Sequence, residues 1–355
     1  MPKNDTFFSN KLIAWYLQNR RMLPWRATSN PYFIWLSEII LQQTRVAQGL
    51  PYYLKFIKAF PTIEALAEAQ EAEILKLWQG LGYYSRARNL HAAAKYVVND
   101  LQGEFPKSYK ELLQLKGVGD YTASAIASIC YGEPTAVVDG NVYRVLSRIF
   151  GIETPINSTQ GIKDFKLLAQ ELLDPSQPGT YNQAIMEFGA QYCVPQNPYC
   201  AGCIFNDHCE AVINNKVSML PVKLKKTAIK KRYFNYLVVL SEDRRTLLRQ
   251  RTQKGIWRQL YEFPLIESVS EVSMTQLKSM EAFKEFSEEI PIEDVYLYND
   301  EPIIHKLSHQ HLYTSFWIVE CLEAPPDAIA ISSMDNYAIP VLLENFISNF
   351  SGMKN

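Results

Sequence analysis

The chain has 355 residues, 47% hydrophobic and 21% charged, with 36 Lys+Arg against 37 Asp+Glu. This composition excludes a disordered or collagen-like chain and is long enough for two or three folded domains. No apolar run approaches the ~18 residues of a membrane helix, and Met1-Pro-Lys-Asn-Asp lacks the apolar core of a signal peptide, so a soluble, cytoplasmic protein is expected. A net charge of −1 gives no global attraction for a polyanion, which makes the distribution of charge the informative quantity. Residues 1–222 carry 20 basic and 19 acidic side chains, residues 223–232 (KLKKTAIKKR) carry six positives and no negative, and residues 233–355 carry 10 against 18. This pattern predicts a helical region at 1–222, a basic linker at 223–232 and an acidic domain at 233–355.

In chain order, Phe7 to Leu17 has the spacing of an amphipathic helix, closed by Asn19-Arg-Arg and Pro24. After Arg26 and Asn30-Pro31, the run FIWLSEIILQQTRV (Phe33 to Val46) predicts one largely buried helix. Glu38 sits in its middle, and an ionised carboxylate among Leu36, Ile39, Ile40 and Leu41 costs several kcal/mol. It therefore lies on an exposed stripe, the usual place of a lone helical Glu, or has a raised pKa and a chemical role. Gly80-Leu-Gly82-Tyr83-Tyr84-Ser85-Arg86 suits equally a capped helix start with core tyrosines and a loop that meets DNA, an aromatic wedging into the base stack.

Leu112, Leu113 and Leu115 lead into Lys116-Gly117-Val118-Gly119, and Tyr121 to Tyr131 continues as a helix. Such a glycine hairpin can bring backbone N–H groups against a phosphate at the positive end of the second helix, or simply connect two helices. Val-Val-Asp139-Gly-Asn141 then precedes the helical pattern Val142, Val145, Leu146 and Ile149, which makes Asp139 a helix cap. Ile162 to Leu173 and Tyr181 to Tyr192 predict two more helices, the second carrying Glu187.

Cys193, Cys200, Cys203 and Cys209 form C-x6-C-x2-C-x5-C within seventeen residues, while Cys130 and Cys321 stand alone. Four such thiols in an intracellular chain are ligands rather than disulfides, and zinc and a [4Fe-4S] cluster both accept them. After the linker the period changes. Strand patterns at Tyr233 to Ser241, Thr246 to Arg251, Val295 to Tyr298, Ile303 to Ser308 and Leu312 to Cys321 alternate with helices at Met274 to Phe286 and Val341 to Phe350.

The hairpin followed by Asp139 resembles the signature of the endonuclease III-like DNA glycosylase superfamily. The strings LSEIILQQTRV and GLGYYSRARNL make the chain similar to its MutY adenine glycosylase branch. The resemblance implies an all-α helix-hairpin-helix core, its six-helix part at about 25–140 and its cluster-bearing part formed by the N-terminal helix with 141–222, followed by an α+β Nudix-like domain. It implies a monofunctional enzyme that excises adenine opposite 8-oxoguanine or G from double-stranded DNA, as a monomer. Glu38 would be the general acid, Asp139 the stabiliser of the cationic sugar, Asn141 its orienting neighbour, and Tyr121 a phenol where a lyase would hold an amine. DNA and adenine contacts would come from Arg26, Leu41, Gln42, Gln43, Thr44, Tyr83, Gly117, Val118, Gly119 and Glu187. The four clustered cysteines would hold [4Fe-4S]. Ser308 and His309 would read the oxidised base, although Leu307 departs from the family's Phe, and no R-E-x-x-E-E arrangement for pyrophosphate hydrolysis follows Glu262. Two other readings are an endonuclease III-type pyrimidine glycosylase/lyase and a non-catalytic zinc-stabilised DNA-binding module.

Overall fold

The computed structural model describes residues 6–224 and 229–353, so part of the expected linker, 225–228, lies outside the described residues. The chain divides into two compact units, Met1–Ala69 with Arg88–Lys225, and Gln70–Ala87 with Lys226–Asn355. No helix among the described residues is long and apolar enough to cross a membrane.

The first unit is helical: α1 (Phe7–Asn19), α2 (Pro31–Leu41), α3 (Val46–Ala59) and α4 (Ile63–Glu68) precede the short α5 (Glu71–Leu77), which groups with the second unit, and α6 (Ser85–Asp100) follows. Then come α7 (Tyr109–Leu112), α8 (Asp120–Tyr131), α9 (Gly140–Phe150), α10 (Thr159–Leu172), α11 (Pro178–Gln191) and α12 (Glu210–Ile213). One expected helix divides. Phe33 to Val46 stops at Leu41 because Gln42 turns to ψ 116° and Gln43 takes the left-handed φ of 55°, and α3 starts afresh at Val46. Capping explains several starts: Asn30 accepts from the Tyr32 amide, and Ser108 and Glu111 form a reciprocal capping box on α7.

A shared core joins α1, α9 and α11, with Phe8, Leu12, Val145, Leu146, Tyr181, Ile185 and Phe188 among its buried residues. The cysteine segment is anchored to it by Phe205, fully buried between Cys203 and Cys209 and packed on Phe8 (ring centroids 5.0 Å apart) and Phe188 (5.6 Å).

In the second unit, β1 (Lys230–Ser241), β2 (Arg245–Thr246), β3 (Arg249–Gln250), β4 (Tyr261–Glu262) and β5 (Leu265–Ser268) are followed by α13 (Met274–Ser279), α14 (Glu281–Glu289), β6 (Ile292–Leu297), β7 (Ile303–Lys306), β8 (Gln310–Cys321), β9 (Ile329–Ala330) and α15 (Val341–Asn349). The main sheet is mixed, in the order β5-β1-β8-β6, with β7 also on β8; β1 and β8 run parallel and the other pairs antiparallel. Parallel pairing requires a crossover, and α13 and α14 lie within it. Both sheet faces are covered: Phe234, Tyr236, Val238, Phe316 and Ile318 pack toward α15, while Leu237, Val239, Trp317 and Val319 pack with Phe283 and Phe286. The single helix expected at Met274 to Phe286 is interrupted at Met280, whose ψ of 137° ends α13 and starts α14.

Truncating Phe205 to Ala removes a ring from a site with no solvent to refill it, and should destabilise the first unit by about 3–5 kcal/mol. Denaturant unfolding of the full chain checks this; a change below about 1 kcal/mol would mean the cysteine segment is not anchored there.

Candidate active site

Three helices bring their groups to bear on one carboxyl. Glu38 lies on α2, Tyr121 opens α8, and Asp139 caps α9. Burial raises the Glu38 carboxyl to about 7; a hydrogen bond with Tyr121 and the charge of Arg26 oppose this, while the charge of Asp139 adds to it. The Tyr121 phenol is held well above its ordinary value by burial and then by the Glu38 and Asp139 charges, so it stays protonated, and its hydroxyl donates to Met186 Sδ at 3.0 Å.

Asp139 differs from Glu38 in its donors. Its Oδ1 accepts from the backbone amides of Asn141 and Val142, both at 2.8 Å, and its Oδ2 from Asn141 Nδ2 at 2.7 Å. Burial raises its pKa, whereas these three bonds and Arg144 favour the ionised form. Asn141 is itself held: Arg144 Nη2 donates to its Oδ1 at 2.9 Å and to Gly189 O at 2.6 Å, and Arg144 Nε donates to Cys193 O at 2.7 Å. Arg144 was not singled out in the sequence, where it is one helical cation among many; its burial is the signal, and only packing reveals it.

Glu187 is 1% exposed and accepts six hydrogen bonds: from Arg21 N, Nε and Nη2, from Arg26 Nη1 and Nη2, and from Gln191 Nε2, all between 2.6 and 3.0 Å. Burial alone would raise its pKa, but the two guanidiniums bring it down to about 2. It ties Arg21 and Arg26 to α11.

Around this centre, Gln42 Nε2 donates to Thr122 Oγ1 at 3.3 Å, and the Thr44 amide donates to Leu41 O at 3.0 Å, closing the turn after α2. Gly117 holds φ at 82°, with Asn89 so close that an added Cβ would lie 2.8 Å from its own Cβ, and Gly119 caps α8. Val118 between them is buried, and its amide donates to Leu115 O at 3.0 Å.

Cys193, Cys200, Cys203 and Cys209 form no disulfide. Burial raises Cys200, Cys203 (to about 11) and Cys209, and the charges of neighbouring thiols of the set add to it. Among the described residues no three His, Cys, Asp or Glu side chains form a group suited to a single metal ion. The donor chemistry fits an iron–sulfur cluster: four electrostatically linked thiols with N–H donors to sulfur from Arg148 Nη1 (3.5 Å to Cys193) and the Phe205 amide (3.4 Å to Cys203).

In the second unit, Tyr83 is 48% exposed with φ 50°, a left-handed conformation unusual for an aromatic residue. Its hydroxyl lies 2.6 Å from Ser308 Oγ, and the Arg86 guanidinium sits over its ring at 5.4 Å. Ser308 and His309 are exposed in the turn between β7 and β8, closed by the Leu307 amide on Gln310 O at 2.9 Å; Leu307 packs against the sheet core.

A model of the HhH-GPD superfamily base excision DNA repair proteins matches residues 36–170, and a NUDIX domain model matches 235–349. An adenine DNA glycosylase of Buchnera aphidicola subsp. Baizongia pistaciae is 34% identical over 88% of this chain and 86% of its own length. The adenine DNA glycosylase of Homo sapiens is 46% identical over 58% of this chain, an alignment spanning 39% of the human protein. Among solved structures, a thermostable thymine-DNA glycosylase superposes with a TM-score of 0.55 and 31% identity, covering 60% of this chain and 97% of that one. An endonuclease III–DNA complex shares the fold at 18% identity, with a TM-score of 0.52 over 59% of this chain and 95% of that one. The helical core and the Nudix-like domain expected from the sequence are thus both matched, and with a relative aligned over most of both lengths the chain belongs to the adenine DNA glycosylase family.

Proposed function

We propose that this DNA glycosylase flips adenine out of a duplex in which it faces 8-oxoguanine or guanine, and hydrolyses its N-glycosidic bond with Glu38 as acid and Asp139 as stabilising carboxylate. The observation that carries the reading is the unequal treatment of two coupled carboxyls. Glu38, raised to about 7 with few donors, is the one that keeps a proton near neutrality; Asp139, with three donors at 2.7–2.8 Å, is the one that gives it up. Adenine anion is a poor leaving group until protonated. Glu38 delivers its proton to N7, the C1′–N9 bond breaks with its electrons passing to the base, and Asp139 faces the positive charge left on the sugar until water adds at C1′. Asn141 and Arg144 position Asp139. Tyr121 offers a phenol in place of an amine nucleophile, which favours a monofunctional enzyme over the endonuclease III-type lyase.

For the duplex, Gly117 and Gly119 take the phosphate at the start of α8, with the buried Val118 shaping the turn. Leu41, Gln42, Gln43 and Thr44 face the base pair from the turn after α2, Arg26 borders the adenine pocket, and Tyr83 enters the stack. The left-handed backbones of Gln43 and Tyr83 support this, because non-glycine residues held there cluster where side chains are aimed for function. Ser308 and His309 read the oxidised base, whose N7–H and C8 carbonyl need a placed acceptor and donor. The protein acts as a monomer where the DNA is, in a bacterium the nucleoid within the cytoplasm. The four clustered cysteines hold a [4Fe-4S] cluster, which ties the cysteine segment together and is remote from the bond being broken.

Replacing Glu38 by Gln or Asp139 by Asn keeps shape and removes the proton or the charge, so each should lower single-turnover adenine release by about 10²–10⁴-fold while mismatched-duplex binding persists. Rates near wild type in either variant would sink the assignment. Because the acid must be protonated, wild-type excision should fall as pH rises through about 7, and a rate flat from mildly acidic to alkaline pH would count against Glu38. The same raised carboxyl binds its proton more tightly folded than unfolded. Stability is therefore lost as pH climbs from the ordinary glutamate range to about 7, and Glu38→Gln should gain in melting temperature over wild type above that window but not below it. Anaerobically purified protein should be brown, with a broad violet-edge absorbance that bleaches as iron is lost; colourless protein holding one zinc per chain would replace the cluster by zinc.

A further inference from the structure

The loop that carries Tyr83 is braced from within. Trp78 Nε1 donates to Gly82 O at 3.0 Å, the Gly80 amide donates to the Tyr84 hydroxyl at 3.3 Å, and the buried Arg86 donates to Gly82 O at 3.2 Å while its guanidinium sits over both the Trp78 and Tyr83 rings. A loop held this way moves with whatever holds its base. That base, at the end of α5, is fastened to a backbone segment far along the chain. Gln79 Oε1 accepts from the Ile339 amide at 3.3 Å and from Lys76 Nζ at 3.2 Å, and Lys76 Nζ also donates to Tyr337 O at 3.2 Å. Two side chains thus satisfy the N–H of Ile339 and the C=O of Tyr337. The residue between, Ala338, gives its carbonyl to the Tyr261 amide at 2.8 Å, and the Tyr337 and Tyr261 rings pack at 4.8 Å. Ala338 and Ile339 are buried, so the anchor is rigid.

We propose that Gln79, assisted by Lys76, is a specificity-positioning residue: it locks the wedge loop onto the 337–339 segment, so that the Tyr83 phenol is held against Ser308 before DNA arrives. The inference rests on the reading that Ser308 reports the base opposite adenine. Distortion of the duplex by Tyr83 and inspection of the opposite base by Ser308 are then one event rather than two, because the two hydroxyls are already bonded and the loop base is fixed independently. Pre-ordering removes the entropy that a mobile tyrosine would lose on entering the stack, and it holds the Ser308 hydroxyl in one orientation, the one in which it meets the opposite base. The contact at Gln79 uses only an acceptor oxygen.

The test uses the full chain and duplexes with a non-hydrolysable 2′-fluoro-adenosine opposite 8-oxoguanine or guanine, and reads the ratio of the two dissociation constants at one salt concentration. Gln79→Leu should lower the preference for 8-oxoguanine by about five-fold, near 1 kcal/mol and the worth of one net hydrogen bond, while single-turnover excision of adenine opposite guanine is unchanged. Gln79→Glu, which keeps the acceptor, should retain the preference; should Gln79→Leu fold poorly, Lys76→Met removes the bond to Tyr337 and should act in the same direction. Combining Gln79→Leu with Ser308→Ala should give no loss beyond Ser308→Ala alone, because both act through one phenol. If Ser308→Ala lowers the ratio and Gln79→Leu does not, or if the two losses multiply as independent sites, the coupling is overturned and lesion reading stands. If Ser308→Ala leaves the ratio unchanged, the underlying reading fails and the proposal falls with it.

Discussion

A carboxyl raised to about 7 by burial cannot be built from one residue, and the architecture around Glu38 shows what such burial requires. Burial has to raise its pKa, yet the fold cannot leave a costly group without partners. Tyr121 resolves the conflict. A phenol held in its protonated form gives the carboxyl a hydrogen-bonding neighbour but, unlike a guanidinium, adds no positive charge to strip the proton away. Arg26 is the nearby cation that would do so, and its fork is committed to Glu187. The buried Arg21–Glu187–Arg26 cluster is thus explained less by stability, which buried ion pairs supply poorly, than by where it keeps a positive charge.

Asp139 obeys the opposite requirement. Capping α9 gives it two backbone donors, and Asn141 adds a third from the same first turn, so a motif common at helix starts opposes the burial that raises this carboxyl. Arg144 completes the arrangement by holding Asn141 and, through Cys193 O, the beginning of the cysteine segment. Hydrogen bonds therefore run without interruption from Asp139 to the residue that opens the thiol set. This gives that segment a structural bearing on the Asp139 carboxyl.

The second unit is organised around its Nudix-like sheet. Its two long strands, β1 and β8, form the spine, and the exposed turn before β8 presents Ser308 and His309. Grouping of Gln70–Ala87 with this unit, rather than with the helices that flank it in sequence, places the Tyr83 loop on the same body as that turn. The Tyr83 and Ser308 hydroxyls are then held together by a handful of side-chain-to-backbone bonds.

Much of this was legible in the residues alone, for identifiable reasons. Helical periodicity, the glycine hairpin, the capping Asp139 and the cysteine spacing are local, and local chemistry is written in consecutive residues. Glu38 stood out through the resemblance of LSEIILQQTRV, since a lone helical Glu amid apolar neighbours usually lies on an exposed stripe. What the residues could not decide is which distant groups meet. Nothing in the spacing around Glu187 announces that Arg21 and Arg26, more than 160 residues earlier, both bond its carboxylate. The break of the α2 pattern at Gln43 lies in backbone dihedrals that no apolar spacing encodes, and so does the positive φ of Tyr83. Lys76 and Gln79 look like ordinary solvent-facing positions of a short helix; tertiary structure alone makes them partners of backbone groups about 260 residues away, because a hydrogen bond to an amide or a carbonyl leaves no signature in the identity of the residue that supplies it.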